Sequence, residues 1–357
     1  MSRAGGRLTR RRSIILVVAV ALVAGAGIVA WRIVRDGDDT RLTRAMALAP
    51  ESTVRFSWTD WAAVREELGV DLSGTSPASD VEDFLLEAFD RDLTASTALD
   101  ESAATIHTEL GFSPATIDWE LFAQGEDGAV VIMGLPEDVD VPALEDQLRT
   151  AGFTQPDEQD GVWQGGVDLL ETLSGPVTPE LAALQIDAEA GVLYGSDDPR
   201  YLAERADVAR DDLEDGVAEA AAAAGTPLAA SAYTGEHTCA ELSMAEADPA
   251  DRTRASELIA EAGEVHPLTG FAIAAQPGGD VRVALALDSE DQARTDADSR
   301  SRLAAGPAPG QGGAFPEKFT LGKVTAVGNV VTMDLAPVDG WLVLSDFNHG
   351  PVLFATC

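Results

Sequence analysis

An unbroken apolar stretch constrains this chain more than any other feature. Ile14–Trp31 is 18 residues long, all apolar or glycine, and five arginines (Arg3, Arg7, Arg10, Arg11, Arg12) precede it. At 1.5 Å per residue a helix of that length spans about 27 Å, enough to cross a hydrocarbon core. The arginine cluster belongs on the cytoplasmic side by the positive-inside rule, and Trp31 and Arg32 suit the outer interface. The reading is a basic tail over 1–13, a transmembrane signal-anchor over 14–34, a charged stalk over 35–49 and an extracytoplasmic body beyond. A cleaved signal peptide is the competing reading, with Ala24-Gly25-Ala26 as a small-residue cut site. Apolar character continues past Ala26 to Val34, which favours the anchor.

Charge divides the chain at the same place. Of 24 basic and 61 acidic residues, seven arginines and no acid lie in 1–35, leaving 17 basic against 61 acidic groups in the rest, a balance of −44. Such a body repels phosphate backbones, which argues against nucleic acid as a partner. Hydrophobic content is 45%, that of a chain able to build a core. The two cysteines, Cys239 and Cys357, stand in a compartment that permits a disulfide, and their pairing is expected.

The body reads as α+β. Thr53–Trp58 alternates Val54, Phe56 and Trp58 on one face of a strand, and Asp60 caps a helix over Trp61–Leu68 that Gly69 stops. Trp119–Phe122 and Ala129–Leu135 form a hairpin, followed by a helix from Val141 to Gly152. Leu228–Tyr233, Cys239–Met244, Gly270–Ala275 and Val281–Leu287 read as strands. Ser289-x-x-Gln292 is a capping box for a helix to Ala305, and Phe319–Thr320, Val324–Leu335, Trp341–Leu344 and Val352–Ala355 read as closing strands. Ala129–Gly152 and Val281–Gly306 share an order of apolar strand, acidic cap, helix and glycine. Two similar hairpin–helix–hairpin units are therefore expected, over 50–227 and 228–357. Each should have an antiparallel sheet with helices on one face.

No catalytic constellation is legible. The nucleophile-elbow, zincin and phosphate-loop patterns are missing, and His107, His237, His266 and His349 lack metal-ligand spacing. The acidic runs fit helix caps and turns better than calcium loops. No catalytic, cofactor or metal residue is assigned. Trp58 and Trp61, one helical turn apart, are candidate aromatics of a ligand cleft, against the alternative of core packing.

Pro50-x-x-Thr53-Val54, Thr59-Asp60-Trp61, Leu303–Phe319 and Phe354-Ala355-Thr356-Cys357 resemble a class of actinobacterial membrane-anchored or secreted proteins of unknown function. The resemblance implies compartment and no activity. The expected function is a non-enzymatic binding or scaffold module of the cell envelope, held by its N-terminal helix, with an envelope protein or ligand as partner. An envelope hydrolase using paired carboxylates is the alternative, and a cleaved secreted protein of the same fold is another.

Overall fold

A computed structural model describes residues 40–158, 160–204 and 213–357. The expected anchor lies outside them. Among the described residues no helix is long and apolar enough to cross a membrane.

Arg41–Cys357 is one compact α+β unit built on a single antiparallel sheet of 11 strands. In chain order its first half carries α1 (Arg41–Met46), β1 (Thr53–Thr59), α2 (Trp61–Leu68), α3 (Ala78–Asp90), α4 (Ala103–Glu109), β2 (Trp119–Gly125), β3 (Ala129–Gly134), α5 (Val141–Ala151), β4 (Trp163–Gln164), α6 (Val167–Leu170), β5 (Ala183–Asp187), β6 (Val192–Ser196) and α7 (Pro199–Glu204). The second half carries α8 (Asp215–Ala224), β7 (Ala229–Thr234), α9 (Gly235–Glu241), α10 (Pro249–Ala262), β8 (Gly270–Ala275), β9 (Val281–Ala286), α11 (Glu290–Ala304), β10 (Phe319–Val327), β11 (Val330–Pro337) and α12 (Val343–Phe347). The sheet order is β10-β11-β9-β8-β7-β1-β2-β3-β6-β5-β4. Outward from the middle, each half runs through a meander of three strands and then a hairpin whose two strands come in reverse order, β6-β5 in the first half and β11-β10 in the second; the first half adds the short β4 at its edge.

The halves are not separate domains. β1 and β7 pair antiparallel, Phe56 opposite Ala232 and Trp58 opposite Ala230, so the expected boundary near residue 227 is the middle of one continuous sheet. Nor does the body begin at residue 50. Leu42, Ala45, Met46 and Ala49 are at most 2% exposed, so part of the expected stalk is core.

Helices cover both faces rather than one. On the first face Trp61, Phe84, Ile106, Leu148, Leu303 and Phe347 pack with Tyr233, Phe271 and Ile273. On the second, α1, α7 and α8 cover Phe56, Trp58, Leu121 and a run of sheet alanines. The reason lies in side-chain size. β8 alternates Phe271, Ile273 and Ala275 on the first face with Ala272 and Ala274 on the second, so the alanine-rich α8 settles almost onto the backbone. A Cβ on Gly216 would lie 2.2 Å from the Thr269 carbonyl, and one on Gly270 2.2 Å from that of Gly216. Glycine is required at both by close approach.

Local readings hold at most caps. Asp60 accepts from the Ala63 amide at 3.0 Å and Asp140 from the Ala143 amide at 3.1 Å. Ser289 accepts from the Gln292 amide, and the Gln292 side chain accepts from the Asp288 amide. Three expected strands are not strands. Cys239–Met244 falls in α9 and a following 3-10 turn, Trp341–Leu344 leads into α12, and Val352–Ala355 holds a 3-10 turn. Trp341–Leu344 and Val352–Ala355 are short apolar runs, which carry no period that tells a strand from a buried helical turn. Cys239–Met244 does alternate, Ala240, Leu242 and Met244 against Glu241 and Ser243, and is helical all the same. Val324–Leu335 is a hairpin, turned at Gly328 with φ 57°.

Candidate functional site

On β1, the residues between Val54, Phe56 and Trp58 are Arg55, Ser57 and Thr59. Opposite them stand Tyr233, Ser231 and Ala229 of β7, and Gln124, Phe122 and Glu120 of β2. These residues share the first face, so a polar seam runs along the middle of the sheet between the two halves. It is not a solvent face. Ser57 is 4% exposed, and Thr59, Ser231 and Glu120 are fully buried.

A strap from the first half closes the seam. Asp92 sits at φ 59°, in the left-handed region that few side chains other than asparagine and aspartate adopt. From there its carboxylate accepts from the amides of Leu344 (2.6 Å) and Ser345 (3.1 Å) and from the Ser345 hydroxyl, at the start of α12. Burial raises the Asp92 pKa despite these donors. Farther along the strap, Ser96 Oγ meets Ser231 Oγ at 3.2 Å, and Asn348 Nδ2 donates to the Ala95 carbonyl at 3.3 Å.

Glu120 lies at the closed end. It accepts from Trp61 Nε1 (2.9 Å), Thr97 Oγ1 (2.6 Å) and the Ala98 amide (2.6 Å). Desolvation outweighs the three donors and pushes its pKa up to about 7. The consequence is a pH-dependent stability. The folded state holds a proton on Glu120 that the unfolded chain releases near 4.5. This contribution is therefore fully present below pH 4.5 and is lost as pH rises through 7, a loss of about 3 kcal/mol at 1.36 kcal/mol per pKa unit. Urea unfolding of the wild type and of Glu120→Gln across pH 5–8 should give profiles that diverge by about that amount, the wild type losing more. Parallel profiles would refute the assignment.

The other end of the seam is open. Here a cleft of about 730 Å³ is lined by Ser52 in the turn before β1, by Val54 and Arg55 of β1, by Gln124–Asp127 at the end of β2 and the β2–β3 turn, and by Glu236, His237 and Ala240 of α9. The Arg55 guanidinium lies 5.6 Å over the Tyr233 ring, and the His237 ring packs edge-on against the same ring at 5.2 Å. Tyr233 is fixed from below, its hydroxyl donating to the Asn348 carbonyl. Arg55 Nε and His237 Nε2 are buried and have no hydrogen-bond partner among the described residues. Burial lowers the His237 pKa, so the ring is neutral at pH 7 and can donate or accept according to its tautomer.

The other histidines are engaged. His107 bonds Ser113 Oγ and the Ser76 carbonyl, both at 2.9 Å; His266 Nδ1 meets Asp296 at 2.5 Å; and His349 Nδ1 meets Asn348 Oδ1 at 2.5 Å. Among the described residues no group of three or more His, Cys, Asp or Glu side chains could hold a metal ion. The cysteines meet, and Cys239–Cys357 is a disulfide with a Cα separation of 5.4 Å. Trp58 and Trp61 do not come together in a cleft. Trp58 is 1% exposed on the second face, stacked on Trp119 at 5.6 Å and donating to the Pro227 carbonyl at 3.3 Å. Trp61 is fully buried on the first face, against Glu120. One residue is the strand's penultimate position and the other starts a helix, so the chain turns between them. Sequence reasoning did not find Arg55 or His237. The available signal was a lone cation, Arg55, between apolar positions of a strand in a strongly acidic body.

No family model matches this chain, and no curated protein matches it. Among solved structures it is similar to two crystal forms of TP0453. Crystal form I has a TM-score of 0.38 at 8% identity, covering 85% of this chain and 96% of that one. Crystal form III has a TM-score of 0.36 at 9% identity, covering 85% and 97%.

Proposed function

We propose that this chain is an extracytoplasmic, membrane-anchored binding module of the cell envelope with no catalytic role, and that the cleft at Arg55 is where it engages its partner. The observation that carries the binding reading is the cleft's pair of buried, partnerless polar atoms, Arg55 Nε and His237 Nε2. Burying such groups without partners is unfavourable, and a bound molecule would satisfy them. The compartment is supported by the Cys239–Cys357 disulfide, which belongs to an oxidising environment, and by the arginine-flanked apolar stretch. The hydrolase reading has no comparable support. The carboxyls raised by burial are each held by donors, Glu120 by Trp61, Thr97 and Ala98, Asp92 by Leu344 and Ser345, and Asp60 by Ala63 and Arg41, and none of them lines the cleft. The two halves descend from one duplicated unit of hairpin–helix–hairpin type. Support for this is their common order of meander and reversed hairpin, to which the first half adds β4, and the helices α5 and α11, each placed between the meander and the returning hairpin.

Topology and engagement are tested in the same cells. Protease added to intact spheroplasts should digest the body while a membrane-bound N-terminal fragment survives. A protected body would overturn the orientation, and a body released into the medium would replace the anchor by a cleaved leader. A photo-crosslinking residue at Gln124 should capture one discrete envelope component, whereas the same residue at Lys323, on the outermost strand β10, should not. Equal labelling from both positions would remove the cleft as the site.

A further inference from the structure

We infer that the cleft takes a small zwitterion, with the ligand's carboxylate on Arg55 and its ammonium among the acids of the rim; this rests on the binding reading above. The floor supplies the carboxylate half. Arg55 is partly buried in a body of net charge −44, yet among the described residues no carboxylate pairs with it. Its contact is the face of Tyr233, which orients the guanidinium plane. Its two Nη groups carry no hydrogen bond to a described residue, and together they form a fork that donates two parallel N–H···O bonds to a planar carboxylate. His237 Nε2, the second buried atom without a partner, lies against the same tyrosine and can donate a third bond in its Nε2–H tautomer.

The rim supplies the other half. Glu126, Asp127 and Glu236 line the same cleft, and Arg55 is its one cationic side chain among the described residues. Three negative groups around one positive group repel a polyanion such as a nucleotide or a phosphorylated sugar. They favour a ligand whose anionic end is followed closely by a cation. A free amino acid or a short peptide has that charge order. The cleft's volume of about 730 Å³ lies within the range of small-molecule sites.

The test is calorimetric titration of the full chain in detergent with three probes of one shape. These are the zwitterionic dipeptide Ala-Ala, its N-acetyl derivative (carboxylate only) and its C-terminal amide (ammonium only). Ala-Ala should bind with a Kd of about 1 mM or tighter, the N-acetyl form several-fold more weakly, and the amide not at all up to about 20 mM. Arg55→Gln should weaken Ala-Ala at least about tenfold, the size expected for a charge-assisted hydrogen bond. Glu236→Gln, on an exposed side chain, should weaken Ala-Ala and leave the N-acetyl form unchanged. Equal binding of the amide, retention of Ala-Ala binding by a folded Arg55→Gln protein, or no binding of any probe would overturn the inference. If Gln124 still crosslinks one envelope component in that event, the binding reading stands and only the ligand class falls.

Discussion

Arg300→Ala should cost about 4 kcal/mol of folding free energy, enough to take a large part of the stability of an ordinary domain. Arg300 is fully buried on α11 and serves four acceptors with one guanidinium. Nε donates to Asp296 at 2.7 Å, Nη1 to the carbonyls of Phe354 and Thr356 at 2.9 Å each, and Nη2 to the His266 carbonyl at 2.6 Å. Burial lowers its pKa, with Asp296 opposing the shift. Truncation leaves a buried carboxylate without its cation and three carbonyls without their donor, and each orphaned group is unfavourable in a dry core. Asp296 keeps the amide and ring of His266, so the loss falls short of a fully isolated charge. Arg300→Lys preserves the charge but not the planar fork, and an ammonium cannot reach four acceptors spread around one plane. It should lose an intermediate amount, about 2 kcal/mol. Urea unfolding at pH 7 decides the matter. A loss below about 1 kcal/mol for Arg300→Ala would show that water or a shifted backbone replaces the guanidinium.

Removing the Cys239–Cys357 disulfide, by Cys239→Ala with Cys357→Ala, should lower stability by about 4 kcal/mol. The bridge closes 118 residues of sequence, and the chain-entropy model gives a loop of that length nearly 5 kcal/mol, from which engineered and native cases usually fall somewhat short. The bridge ties α9, which lines the cleft, to the segment that Arg300 also holds. Val352 N donates to the Leu242 carbonyl and the Met244 amide to Thr356 Oγ1, so one backbone and one side-chain hydrogen bond run beside it. Disulfide and arginine thus fasten one segment, and their losses should not add. The triple variant should be destabilised by clearly less than the sum of the two, because once either fastening goes the other holds a segment already partly released. Additive losses would show two independent attachments. In the disulfide variant the Ala-Ala titration should weaken as well, since His237 lies two residues from Cys239 on α9.

How far the sequence was legible differs between levels, and particular residues show why. Asp60, Asp140 and Ser289 are caps whose partners lie three residues ahead, so local pattern suffices to assign them. The meander-and-hairpin order repeats because each unit's strands and helix have their own periodicity. The two cysteines needed only the compartment to be paired. The cleft has no such local signature. Arg55 and His237 are about 180 positions apart and meet only because β1 and β7 pair in a register that sets Arg55 opposite Tyr233.

By itself, the sequence determined the α+β composition, the hairpins, most caps, the disulfide partners and the division of charge between a basic tail and an acidic body. These follow from local periodicity and from counting. Only the tertiary structure decided that two units share one sheet, that both faces of it are covered, and that the polar positions Arg55, Ser57 and Thr59 lie beneath a strap rather than in water. The physical reason is that alternation along a strand records two faces of different polarity but not what covers them. A seam of arginine, serine and threonine looks like a wet surface until the Asp92–Ala98 strap closes over it. It closes because Asp92, in its left-handed turn, holds the start of α12 about 250 residues away.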